Sequence, residues 1–257
     1  MSLRDPGSDL DIQVYFQPPP ASVLRGAAVV ILDILRATTV HAALFAGEAG
    51  AVYPVADFSA GISLRDAIPD SRLIGEVGAL PPPEADYGNS PTEFESLDVR
   101  GWTVVHVTSN GTRALVNAID ADLALSGCLR NRSASIDYLL SRKSERIAVV
   151  CSGDHNGSAP SVEDSFAAGA YVDRLRRLVP DARLRGGARL ALKLFQSYAR
   201  SPSRAFADSP HGDHLRQLGF QADFKYAGDI DADSTVIVLA VDRSGRPVLK
   251  RIPALPH

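Results

Sequence analysis

Residues 27–32, 104–107 and 147–150 are short apolar runs, broken only by His106, each followed by a polar loop and then by a stretch with helical spacing. A run of this length closed by turn-forming residues reads as a strand buried on both faces, and strand followed by helix is the repeat of an α/β sheet. The pattern predicts strands at 12–16, 27–32, 51–55, 72–75, 103–107, 123–126 and 146–150, and helices at 38–48, 58–67, 111–119, 133–142 and 162–179. Beyond Pro180 it weakens to helical spacing at 189–198 and 211–218 and strand-like runs at 236–241 and 248–252. Residues 1–10 read as a disordered tail and 11–257 as one unit, least defined from about 180, with no linker and no repeat of fixed period. The Pro- and Gly-rich interval 77–96 is long for a connection inside a compact unit, which marks it as functional or disordered; the functional reading is a loop over the pocket, the bland one a rigid surface excursion.

Taken as neighbouring parallel strands, the three apolar runs bring their loops to one carboxyl edge, where open α/β sheets place ligands. The first loop holds Asp33, Arg36, Thr38 and Thr39; the second holds Asn110, Gly111, Thr112 and Arg113; the third leads to Glu163 and Asp164. Helix starts at Thr38 and Asn110 offer backbone N–H groups to an anion, and the arginines offer forked donors for phosphate oxygens. Asp33, Glu163 and Asp164 are hard oxygen ligands of the kind Mg²⁺ takes when it also binds a substrate phosphate. Each residue also has a structural reading. Thr38, Thr39 and Asn110 are ordinary helix caps, Gly111 can serve a tight turn, and Glu163 suits the first turn of a helix. Asp33 is the hardest to explain this way, because a carboxylate ending an apolar run is costly unless paired or metal-bound.

Composition narrows the classes. With 257 residues, 45% of them hydrophobic, the chain can bury a sizeable core, and a net charge of -3 gives no bulk attraction to nucleic acid or to an anionic membrane. No apolar stretch is long enough to span a bilayer, and the polar start from Met1 to Asp11 lacks a signal-peptide pattern, so the expectation is a cytoplasmic protein acting on a small molecule. A homo-oligomer is compatible with this reading. Cys128 and Cys151 both end apolar runs and read as reduced core-edge thiols.

Familiar phosphoryl-transfer signatures are absent. There is no phosphate-binding loop ending in Lys-Ser/Thr, and Leu35 stands where a second aspartate would follow Asp33. Neither cysteine has an arginine six positions on, since Ala134 and Gly157 occupy those places. Asp229, Asp231 and Asp233 imitate a calcium loop, but Ser234 replaces its glycine and Ala240 its glutamate. His211 and His214 share a helical face without a third ligand at convincing spacing, and His41 and His106 sit in apolar patterns as core or near-core residues.

The stretch Val30-Ile31-Leu32-Asp33-Ile34-Leu35-Arg36-Ala37-Thr38-Thr39, then Gly75-Glu76, Gly88-Asn89-Ser90-Pro91, Thr108 to Leu115 and Ser161-Val162-Glu163-Asp164, resembles the 2-phosphosulfolactate phosphatase family in order and content. A fainter match covers His211 to Asp223. The resemblance implies a three-layer α/β/α fold with a mainly parallel or mixed sheet. It also implies Mg²⁺-dependent hydrolysis of a phosphate monoester carried on a small sulfonated hydroxy acid, a step of coenzyme M biosynthesis. On this reading Asp33, Glu76, Glu163 and Asp164 are the metal ligands, and Asp33, Glu163 and Asp164 act in the chemical step. Arg36, Thr38, Thr39, Asn110, Gly111, Thr112 and Arg113 cradle the phosphate, while Asn89 and Ser90 face the organic part. Val77 stands where the family usually has Arg after Gly75-Glu76, which removes one anion contact. The rival reading is a noncatalytic anion-binding protein that keeps the pocket without turnover.

Overall fold

In the computed structural model, which describes residues 9–198 and 201–252, one sheet of ten strands organises the chain. The elements are β1 (Asp11–Tyr15), α1 (Ala21–Leu24), β2 (Ala28–Leu32), α2 (Ala37–Ala46), β3 (Ala51–Val55), α3 (Phe58–Ala67), β4 (Arg72–Gly75) and α4 (Pro91–Glu95). They continue with β5 (Thr103–Val107), α5 (Gly111–Asn117), β6 (Leu123–Gly127), α6 (Arg132–Ser141), β7 (Arg146–Cys151), α7 (Val162–Leu178) and β8 (Arg183–Gly186). The last are α8 (Ala188–Tyr198), α9 (Pro202–Ala207), α10 (Pro210–Gln217), α11 (Gln221–Gly228), β9 (Val236–Val241) and β10 (Pro247–Ile252).

The strand order is β4-β5-β3-β10-β9-β6-β2-β7-β1-β8. Two parallel blocks, β4-β5-β3 and β6-β2-β7-β1-β8, flank the hairpin β9-β10, which pairs antiparallel with β3 on one side and β6 on the other. The architecture is therefore the α/β/α sandwich with a mixed, mainly parallel sheet. All five residues of β2 are buried, as are the last five of β7, which fits central strands covered on both faces.

Two expectations change. β2 and β7 are neighbours, but β5 is separated from them by β3, the hairpin and β6, because a C-terminal hairpin inserts into the sheet and an apolar run carries no information about strand order. The loop after β5 still reaches the loop after β2, since α5 packs against both β3 and β2. The second concerns the last residues of the expected tail. Residues 1–8 lie outside the described residues, whereas Leu10 is fully buried and its carbonyl accepts the Arg183 N–H at 2.8 Å. Among the described residues no helix is long and apolar enough to cross a membrane.

Candidate active site

Asp33 is the first residue past β2 and is 6% exposed. Its carboxylate Oδ1 accepts the Ala37 N–H at 3.1 Å, and its own N–H and C=O are closed by the Thr38 hydroxyl at 3.0 and 2.9 Å. The start of α2 is thus satisfied from within its own loop. Thr39 acts similarly, donating to Ile34 O at 2.8 Å. The expectation that both hydroxyls face a phosphate is corrected here: in a tight loop the nearest unpaired backbone groups are the better partners, and both threonines are fully buried away from the cavity.

Asp33 instead opens onto a cavity of about 390 Å³ whose walls include Arg36, Glu76, Ala79, Asn89, Asn110, Asp154 and His211. The start of α5 presses against it. A Cβ added to Gly111 would lie 2.4 Å from Asp33 Oδ2 and 2.7 Å from Ala37 Cβ, so only glycine lets the two helix starts meet. Asn110, preceding α5, makes no side-chain cap bond, and its buried Oδ1 has no partner. Thr112 and Arg113 are not cavity residues. Thr112 is fully buried and its hydroxyl donates to Thr108 O at 3.0 Å, while Arg113 lies on the exposed face of α5. Helical periodicity explains this, because the first turn cannot aim three successive side chains at one point.

Glu76 projects beyond β4, where Gly75 at φ 151 leaves no room for a Cβ beside Val107 O. Its Oε1 accepts from the N–H and hydroxyl of Ser109, both at 3.0 Å, and its Oε2 accepts the Ala79 N–H at 2.8 Å. It joins the loops after β4 and β5 at the cavity wall. Val77 is 61% exposed and does not line the cavity.

The first turn of α7 carries the other two acids, where the helix dipole favours negative charge and Ser161 caps by accepting the Asp164 N–H. Asp164 is fully engaged: Oδ1 accepts the Ile34 N–H at 2.8 Å, and Oδ2 accepts the Ser152 hydroxyl at 2.9 Å and the Gly153 N–H at 3.3 Å. It straps the loop after β2 to the loop after β7 and does not line the cavity. Glu163, also 2% exposed, differs in that its Oε2 is buried with no partner. Burial, reinforced by mutual repulsion among acids, pushes the carboxyls upward: Asp33 to about 6, Glu163 to about 7, and Asp164 well above the usual range. Among the described residues, no three or more His, Cys, Asp and Glu side chains are arranged to hold a metal ion by themselves. The donor chemistry suits a hard cation with few protein ligands, since Mg²⁺ usually takes one or two carboxylates and completes its shell with water and substrate oxygens.

Arg36 also lines the cavity, 2% exposed, with its guanidinium bonded to Asp223 at 3.3 Å and to Ala79 O at 2.7 Å and lying 4.3 Å from the Phe220 ring centre. Asp223 on α11 also accepts the hydroxyls of Ser90 at 2.6 Å and Thr92 at 3.0 Å. Ser90 therefore faces Asp223 and an adjacent cavity of about 430 Å³, whereas Asn89 lines both cavities. Asp154, His211 and His214 complete the wall. The pattern of the third loop hid Asp154, which directly follows Cys151-Ser152-Gly153, and the spacing of the two histidines pointed only to a metal pair; the fainter family match from His211 to Asp223 was the signal for both α10 and Asp223.

Asp33, Asn110 at the start of α5 and the held Arg36 guanidinium thus meet at one cavity on the carboxyl edge of the sheet, an arrangement suited to a phosphate ester. The chain belongs to the family described as 2-phosphosulpholactate phosphatase, whose profile matches residues 17–242. Similar proteins include probable 2-phosphosulfolactate phosphatases from Carboxydothermus hydrogenoformans, 33% identical over 86% of this chain and 90% of the relative, and from Thermotoga petrophila, 32% identical over 91% and 97%. The protein of the same name from Thermus thermophilus is 32% identical over 82% and 87%.

Proposed function

We propose that this chain hydrolyses 2-phosphosulfolactate to 3-sulfolactate and phosphate with Mg²⁺ as cofactor, within the cytoplasm and as part of coenzyme M biosynthesis or a related route. The carrying observation is the contact between Asp33 and the start of α5, which sets a buried carboxylate beside N–H donors for a phosphate. Asp33 and Glu163 would hold the cation, with Glu76 at the wall and Asp164 fixing the two loops. When bound, Mg²⁺ would neutralise charge on the phosphoryl group and acidify a bound water. Asn110 and the α5 start take phosphoryl oxygens, and Arg36 faces them from a guanidinium already held in place. A pure anion site gains nothing from having Asp33, Glu76 and Asp154 on its walls, which favours the enzyme over the noncatalytic reading. Direct attack by water is the proposed step, because Leu35 occupies the place of a second acid that would assist a covalent route.

Comparing kcat/KM for 2-phosphosulfolactate, 2-phospholactate and a simple alkyl phosphate tests the substrate assignment; the sulfonated ester should be preferred, and equal rates for all three would refute it. Asn110→Ala should raise the inhibition constants of inorganic phosphate and vanadate together, by about two- to tenfold for one lost neutral hydrogen bond. Unchanged inhibition by both would reduce Asn110 to a helix-start residue.

A further inference from the structure

A buried row of four polar side chains runs from the cavity wall into the sheet. Asn89 Oδ1 lies 2.9 Å from His106 Nε2 on β5, His106 Nδ1 lies 2.9 Å from His41 Nε2 on α2, and His41 Nδ1 lies 2.9 Å from Ser126 Oγ on β6. His41, His106 and Ser126 are fully buried. Burial keeps both imidazoles neutral, His106 pushed down to about 3 and His41 well below its usual range.

A neutral imidazole has one donor and one acceptor nitrogen, so the row can run in only two directions. In the first, the Ser126 hydroxyl donates to His41 Nδ1, His41 Nε2–H donates to His106 Nδ1, and His106 Nε2–H donates to the Asn89 carbonyl. Every proton then has an acceptor. In the reverse direction Asn89 donates, each histidine carries its proton on Nδ1, and His41 donates to Ser126. The Ser126 hydroxyl proton is then left in the interior, where among the described residues its oxygen has no bonding partner other than His41. An unsatisfied buried donor is penalised in full, so the first direction prevails.

We infer that Ser126, His41 and His106 are positioning residues that fix the Asn89 carboxamide with its oxygen inward and its NH₂ group toward the cavity, as a donor for the anionic group on the organic part of the substrate. Without them an asparagine amide can present either face to a ligand. The row turns an ambivalent side chain into a dedicated anion donor in a cavity otherwise rich in acids. The assignment of that donor to a substrate rests on the phosphatase reading; the direction of the row does not.

Long-range ¹H–¹⁵N correlation spectra of the labelled full chain test the direction without any turnover. Both buried histidines should be Nε2–H tautomers, and an Nδ1–H tautomer at either position would overturn the inference. Ser126→Ala removes the group that sets the direction while leaving the histidines in place. It should mix the tautomers and raise KM for 2-phosphosulfolactate about two- to tenfold, the range for one neutral hydrogen bond, with a smaller change in kcat. An unchanged KM together with an unmixed tautomer would likewise overturn it.

Discussion

Asp33→Asn should lower kcat/KM by about 10³-fold or more while leaving the fold intact, because the substitution removes the charge at the centre of the site but keeps its shape. The asparagine oxygen can still accept the Ala37 N–H that Asp33 Oδ1 accepts at 3.1 Å. Burial and the neighbouring Glu76 and Asp154 already push the Asp33 carboxyl up to about 6, so ionised Asp33 costs the metal-free protein stability at neutral pH. A carboxyl raised to about 6 in the folded state takes stability away as pH climbs from the ordinary carboxylate range to that value, and the full penalty stands at every pH above it. The variant should therefore melt no lower than the wild type at pH 8, and its Tm should respond less to Mg²⁺. Near-normal turnover in Asp33→Asn would remove the residue from the mechanism, and a large fall in Tm would assign it a structural task instead.

Gly111→Ala is the second change with a large expected effect. The new methyl group would sit 2.4 Å from Asp33 Oδ2 and 2.7 Å from Ala37 Cβ, closer than atoms of a settled structure approach. Neither neighbour is a flexible chain end: Asp33 is tied to the first turn of α2, and Ala37 is backbone-bound within it. The strain should cost about 1–3 kcal/mol of stability, the usual range for overpacking. Its kinetic effect should be larger, since displacing a catalytic group by about 1 Å can cost about 10²-fold. Circular dichroism melts and kcat measured on the same preparation separate the two effects. A variant with wild-type kcat would mean that the contact between the helix starts does not set the site.

Much of this arrangement was legible from the order of residues, and the exceptions have physical reasons. The buried strands β2 and β7 announce themselves as unbroken apolar runs, and the acids and amides at their ends follow from strand-loop-helix grammar. The place of β5 in the sheet was not legible, because β9 and β10 come from the far end of the chain and pairing depends on partners rather than pattern. β8 escaped notice because Arg183–Gly186 is a mostly exposed edge strand with a single leucine among arginines. At helix starts the chemistry itself is ambiguous. Thr38, Thr39 and Thr112 have the residue type of both a cap and a ligand contact, and only coordinates show their hydroxyls turned onto their own loops. Asp223 is one acid on a short helix until Arg36, Ser90 and Thr92 are seen to meet there. The histidine row is a similar case, since four residues on different elements acquire a common direction only through contact.

The most direct test is continuous measurement of phosphate release from 2-phosphosulfolactate by the chelator-treated wild-type chain, before and after Mg²⁺ is restored. The account predicts almost no release without the cation, full turnover on its addition, and no recovery with the same addition to Asp33→Asn. Turnover that is indifferent to Mg²⁺, or binding of the ester with no phosphate released in its presence, would contradict it.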